Sequence, residues 1–250
     1  MHLGPVSRAR FVDRQLRIHA RRSRRTDRGQ SWHRCLSATG LNSYFGIVTH
    51  RGCFNFRITT AIYAAYRIRQ LVTDSRDPAI SGIGAGGGLA ANYATKLGIK
   101  NYTIIDLPNI NVLQAFILNA SLPGLDLALY GEPAPLSDRT RMQILPPSSL
   151  HEIPAGSLDL AFMQDNMPEF ERGVALGYPA LLKDLGVPRV LDIQQEAQAP
   201  MGGIPHNRVA DLFGQIGGFR RNLRLGHWLG AGSVEEIYEN DGRSLVLADK

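Results

Sequence analysis

The run Ile80-Ser-Gly-Ile-Gly-Ala-Gly-Gly-Gly-Leu89 places five glycines within seven residues, directly after a short apolar segment. Residues 79–83 read as a strand, 84–88 as a loop and 89–97 as a helix that Gly98 stops. Glycine lets the chain turn sharply off a strand and approach a ligand without a Cβ in the way, and the helix that follows offers free N–H groups. Twenty residues after Gly86, the β-forming run at 102–105 closes on Asp106. A carboxylate there can accept hydrogen bonds from both ribose hydroxyls of an adenosine. The alternative for the same residues is a glycine-rich turn beside a surface aspartate.

Outward from this unit the pattern continues as alternating strands and helices. Upstream, Ile58, Ile62, Ala65, Tyr66 and Val72 recur at helical spacing and predict an amphipathic helix over 58–72, broken by Asp77-Pro78. Residues 40–56 read as loop and short strand. Downstream, a helix is expected at 110–122 between Pro108 and Pro123. Strands follow at 127–130, 143–145, 158–163 and 189–193, with helices at 169–185 and 208–216. The runs at 219–225 and 234–238 suggest a terminal antiparallel pair. The alternation implies a parallel sheet in an α/β fold. Three stretches result: an Arg-rich tail at 1–40 read as disordered, a loop and helix at 41–76, and the core domain at 77–250.

The chain has 250 residues, 44% hydrophobic and 20% charged, which suits one domain. Its formal charge of +6 is unevenly placed. Residues 1–34 hold ten arginines against Asp13 and Asp27, so the remaining residues hold 18 basic and 20 acidic groups. The basic character therefore belongs to the tail. The longest uncharged runs, 78–95 and 108–125, have 18 residues each. The first is interrupted by glycines and the second by Asn109, Asn111, Gln114 and Asn119, so neither reads as a membrane span. No apolar core follows the basic start, which argues against a secretory signal. Cys35 and Cys53 lack zinc-site or disulfide-scaffold spacing, and a reducing cytoplasmic compartment is expected.

The glycines can be read in two phases. Gly84-x-Gly86-x-Gly88 is the spacing of S-adenosylmethionine methyltransferases, and Gly82-x-Gly84-x-x-Gly87 satisfies the dinucleotide fingerprint of NAD enzymes. The second phase leaves only residues 79–81 as strand before the first glycine, which is short for a central strand. The first phase is preferred.

At this point the sequence resembles the sugar O-methyltransferases, a branch of the class I S-adenosylmethionine-dependent methyltransferases. The resemblance runs in order through Ile83-Gly-Ala-Gly-Gly-Gly-Leu89, Tyr102-Thr-Ile-Ile-Asp-Leu-Pro108, Leu145-Pro-Pro147 and Asp165-Asn-Met-Pro-Glu169. It continues through Gln195-Glu-Ala197, Asn207-Arg-Val209, Gly217-Gly-Phe-Arg220 and Val234-Glu-Glu-Ile-Tyr238, covering roughly residues 44–239. It implies a Rossmann-like class I fold: a mostly parallel seven-stranded sheet with a C-terminal antiparallel hairpin and helices on both faces. Two positions depart from it. Gly82 stands where the family usually has a carboxylate, and Gln194 stands where asparagine is expected.

The resemblance implies S-adenosylmethionine as the donor, held by Gly84, Ala85, Gly86, Gly88, Asp106, Leu107 and Gln164. Methyl transfer to a sugar hydroxyl needs an aligned acceptor and a place for its proton. Asp165, just past a strand end, is the first candidate for the reaction centre, as base, metal ligand or positioning group; its alternative is a helix N-cap. Glu196 is a candidate for binding a sugar hydroxyl or a cation, or else a solvated loop acid. His206 and His151 are candidates for the base by residue type. His227, beside Trp228, is read as packing structurally, and Tyr63 and Tyr66 as acceptor-pocket or core residues. No metal-ligand spacing appears, although a divalent ion is left open, as is a homo-oligomer. Leu145 and Ser148 flank the Pro-Pro pair where nucleic-acid amino-methyltransferases carry Asn or Asp and an aromatic residue, which argues against that reading. Expected partners are thus a small-molecule sugar or glycoside, with neither membrane nor nucleic acid. The rivals are an NAD-dependent oxidoreductase, or a weakened methyltransferase-like protein whose basic tail binds RNA phosphate.

Overall fold

The computed structural model describes residues 47–49, 52–133, 140–196 and 207–243. The Arg-rich stretch at 1–40 and His206 lie outside them. A small antiparallel pair, β1 (Ile47–Thr49) and β2 (Gly52–Phe54), precedes helix α1 (Phe56–Leu71), which Asn55 caps by accepting from the Ile58 N–H. There follow β3 (Ala79–Ile83), α2 (Leu89–Lys96), β4 (Asn101–Ile105), α3 (Pro108–Ser121), β5 (Asp126–Leu129) and β6 (Arg141–Leu145). The chain continues with β7 (Leu160–Gln164), α4 (Arg172–Asp184), β8 (Arg189–Gln195), α5 (Val209–Ile216), β9 (Phe219–Gly226) and β10 (Ser233–Asn240).

The main sheet has the order β5-β6-β4-β3-β7-β8-β10-β9. Strands β5 to β8 run parallel, and β10 is antiparallel to both β8 and β9. Eight strands stand where seven are expected: β5 pairs with β6 and extends the edge by one. The helix anticipated at 169–185 also divides. A 3₁₀ turn at Met167–Glu169 is capped by Asn166, Phe170 is extended, and α4 starts anew with Glu171 accepting from the Val174 N–H. Two local caps therefore replace one continuous helix.

Period-two alternation sorts the central strands between two cores. Ile80, Ile104, Leu160, Phe162 and Leu191 pack with Ile58, Ala64 and Ile68 of α1, Ala91 and Ala94 of α2, and Leu118 of α3. Ile83, Ile105, Ala161, Met163 and Val190 pack on the other face with Ala175 and Leu182 of α4 and Leu212 and Phe213 of α5. Strand β3 lies at the centre, with β4 on one side and β7 on the other. The direction in which strands are added reverses there, and in open α/β sheets that reversal opens a crevice beyond the strands' carboxyl ends.

Candidate functional site

The loop leaving β3 is shaped by three left-handed glycines: Gly84 at φ +66°, Gly86 at +54° and Gly88 at +70°. At Gly84 a Cβ would overlap the Asn166 amide, which donates to the Ile83 carbonyl at 2.7 Å. At Gly88 it would press on Leu118. At Gly86 it would meet nothing within 4 Å, so glycine there opens a cradle that a side chain would fill. Asp106, one residue past β4, closes over this loop. Its Oδ2 accepts from the Gly86 N–H at 3.0 Å and from Gln114 Nε2 at 2.8 Å, and its Oδ1 accepts from the Leu107 N–H at 2.8 Å. Gln114 also donates to the Gly86 carbonyl at 2.7 Å, tying α3 to the loop. The structure thus brings Gly84, Gly86 and Gly88 together with Asp106; Ala85 packs on the first core and Leu107 is exposed.

Gly82 lies inside β3, so the loop begins at Gly84, as the first glycine phase requires. The space where a carboxylate would stand at position 82 is filled by Tyr102, whose Oη would be 2.7 Å from a Cβ there. That phenol is fully buried and has no hydrogen-bond partner among the described residues.

A cleft of about 160 Å³ opens beyond the ends of β7 and β8, and Asn166, which follows the lining residue Asp165, donates to the Ile83 carbonyl at the start of the glycine loop. Gln164 and Asp165 line the cleft from β7, Pro168 and Glu169 from the 3₁₀ turn, and Gln195 from β8. Phe56 and Thr60 of α1 form another wall, and His227, Gly230 and Ser233 close it from the β9–β10 hairpin. Asp165 has φ +50°, the only left-handed non-glycine among the described residues. Asp tolerates that region better than most residues, yet the strain still marks the position. Protein crowding around the carboxyl raises its pKa; His227 and Arg57 oppose the rise, and Glu169 adds to it. The capping role open to Asp165 is filled by Asn166 and Glu171 instead.

A buried polar chain supports the junction between loop and cleft. Gln194 Nε2 donates to Asn166 Oδ1 and Asp192 Oδ1, each at 2.9 Å, while the Asn166 N–H donates to Gln194 Oε1 at 2.9 Å. The glutamine at 194 therefore reaches from β8 to the residue beneath Gly84.

Other candidates are placed elsewhere. Glu196 does not line the cleft: Arg224 grips its carboxylate through two nitrogens at 3.0 and 2.6 Å, which lowers its pKa. His151 is exposed on the 3₁₀ turn Pro147–Glu152, and Tyr66 is exposed on α1. Tyr63 donates to Glu235 Oε2 at 2.5 Å and lies edge-on to both His227 and Trp228. His227 itself, read as structural from sequence, is a cleft residue, and only its juxtaposition with α1 and β7 reveals this. No group of three or more His, Cys, Asp or Glu among the described residues is arranged to hold a metal. No described helix is long and apolar enough to cross a membrane.

No protein-family model and no curated protein matches the chain. Solved structures do. The magnesium protoporphyrin IX methyltransferase ChlM of Synechocystis PCC 6803, solved with bound SAM, superposes with a TM-score of 0.53 at 14% identity, over 84% of this chain and 89% of that one. The pyocyanin biosynthetic protein PhzM gives 0.50 at 16% identity, over 71% and 54%. The riboflavin-derivative dimethyltransferase RosA of Streptomyces davawensis gives 0.50 at 14% identity, over 74% and 56%. The chain spans about half the length of the latter two. With its central β3, glycine loop and antiparallel C-terminal pair, the chain has the Rossmann-like α/β fold of the class I S-adenosylmethionine-dependent methyltransferases.

Proposed function

We propose that the protein transfers a methyl group from S-adenosylmethionine to a hydroxyl of a sugar or glycosylated metabolite. The observation that carries this reading is a cradle left open at Gly86, with Asp106 fixed over it, joined through the Asn166–Ile83 hydrogen bond to the strand end whose Gln164 and Asp165 line a cleft rich in hydrogen-bonding groups. When bound, the donor supplies an electrophilic methyl carbon on a positively charged sulfur. Gly84, Ala85, Gly86 and Gly88 would line it by close backbone approach, since the Gly84, Gly86 and Gly88 N–H groups already donate to Ile105, Asp106 and Ala85. Asp106 Oδ1, engaged among the described residues by the Leu107 N–H alone, keeps accepting capacity for a ribose hydroxyl. Gln164 and Asp165 line the cleft at the end of β7, the strand beside β3, and a carboxylate there would favour a cationic donor.

The cleft suits a hydroxyl-rich acceptor. Thr60, Gln164, Glu169, Gln195 and Ser233 offer donors and acceptors, while Phe56 and the His227 ring offer apolar faces for the C–H side of a sugar. The ordered resemblance described above points to the same substrate class. Glu196, neutralised by Arg224, anchors the end of β8 behind Gln195.

Calorimetry with S-adenosylhomocysteine tests the donor: one site is expected, weakened tenfold or more by Asp106→Ala, a loss of about 1.4 kcal/mol. No binding by the intact chain overturns the reading, and tight binding of NADH instead would favour the oxidoreductase. The acceptor class is tested by counting labelled methyl transferred to a panel of monosaccharides, glycosides and simple phenols. Label on phenols alone would reject a sugar.

A further inference from the structure

We propose that His227 is the catalytic residue that takes the acceptor's hydroxyl proton. The inference rests on the methyl-transfer reading and identifies the base that reading requires. Only 6% of His227 is exposed, yet neither ring nitrogen has a hydrogen-bond partner among the described residues, and the side chain lines the cleft. A buried polar group left unpaired costs about 1–3 kcal/mol, and such groups call for a ligand or a functional reason. The backbone fixes its position: the His227 N–H donates to the Ser233 carbonyl at 2.9 Å, and the Gly230 N–H donates to the His227 carbonyl at 3.2 Å.

The charged and titratable groups facing it come from three elements. Tyr63 of α1 lies with its ring centroid 5.0 Å away, Glu235 comes from β10, and Asp165 follows β7. Burial favours the neutral imidazole more than the two carboxylates favour the charged one, so its pKa is lowered. Both ring nitrogens are covered as well as unpaired, so the acceptor reaches one of them only as the ring turns towards the cleft that it lines; a neutral imidazole so turned is a competent base near neutral pH. The neighbouring phenol is a poorer one. Tyr63 is pushed up to about 12 by burial and by its bond to Glu235, so its proton stays on the phenol. The Asp165 carboxylate faces His227 and serves the step as the counter-charge to the imidazolium.

The imidazole takes the hydroxyl proton as the acceptor oxygen bonds to the methyl carbon and the carbon–sulfur electron pair stays on sulfur. A sulfonium, a hydroxyl and a neutral imidazole thereby become a thioether, a methyl ether and an imidazolium. Asp165 and Glu235 then stabilise the new positive charge.

The test needs no acceptor. The His227 ring is titrated by NMR in the full chain alone, with S-adenosylhomocysteine and with S-adenosylmethionine, its signal assigned by loss in His227→Gln. Site-specific labelling gives the assignment should that variant not fold. The two ligands differ by the sulfonium charge and its methyl group, so an imidazole facing the transferred methyl should titrate lower by about half a pH unit or more in the S-adenosylmethionine complex. If calorimetry shows both ligands bound and His227 titrates identically in both complexes, the proposal is overturned while the methyl-transfer reading stands. If neither ligand binds, both fall.

Discussion

Gly84 and Gly86 share a left-handed backbone but not their neighbours, and this separates the outcomes of two similar substitutions. Gly84→Ala drives a methyl into the Asn166 amide and should cost about 2 kcal/mol or more, read as a lower midpoint in urea. Gly86→Ala meets open space and should cost only about 1 kcal/mol, yet weaken S-adenosylhomocysteine binding sharply, because the methyl enters the cradle. Asp192 makes a different prediction. It is fully buried, Gln194 donates to its Oδ1, and its Oδ2 has no hydrogen-bond partner among the described residues. Burial first, then repulsion from Glu236, Glu196 and Asp165, raises its pKa well above the usual carboxylate range, against the pull of Gln194. A folded-state value above the unfolded one means that the stabilisation is complete below the unfolded pKa, near 4, and is lost as pH rises towards the folded value. Asp192→Asn should remove that slope, so thermal unfolding at pH 5 and pH 8 should differ less in the variant than in the wild type. The glycine at 82 carries a related lesson. From sequence, restoring a carboxylate there promises tighter donor binding, but the Tyr102 ring already occupies the space, so Gly82→Glu alone should destabilise the fold. Glycine spacing and the acid twenty residues on were legible because they are local. His227 was not, because Asp165 and Tyr63, which set it in the cleft, come from parts of the chain more than 60 positions away.

Helix α1 packs through its apolar face and is tied in addition to one acid on β10. Glu235 is 1% exposed and receives Tyr63 Oη at 2.5 Å and Arg67 Nε at 2.7 Å. Removing one partner of a buried ion pair leaves the other charge stranded, so Arg67→Met should cost about 3 kcal/mol in denaturant unfolding. Adding Glu235→Leu to Arg67→Met should recover part of that loss. Because α1 supplies Phe56 and Thr60 to the cleft, both variants should disturb acceptor methylation more than S-adenosylhomocysteine affinity. The helix itself was readable from apolar spacing over 58–72, and its observed span, Phe56–Leu71, differs by a turn end. Its docking partner was unreadable, since helix and acid are about 170 residues apart in sequence. The same limit explains the strand count: an apolar run announces β5, whereas its place on the sheet edge depends on pairing with β6.

For the whole molecule, the net charge says little about the proposed site. Without residues 1–40 the chain retains 18 basic and 20 acidic groups, so the truncated protein should lose retention on heparin at low salt. Its affinity for S-adenosylhomocysteine, measured by calorimetry, should stay within about twofold of the full chain's. Retained heparin binding would locate a basic surface on the sheet domain instead. The topology adds an order in time. The cradle draws on β3, β4 and α3 and on Asn166 and Gln194 behind Gly84, whereas the cleft also waits for the β9–β10 hairpin, which supplies His227 and Ser233. A chain ending between β8 and β9 would hold every part proposed to grip the donor and lack the wall proposed to receive the proton. Methyl transfer would thus become available only to a finished protein.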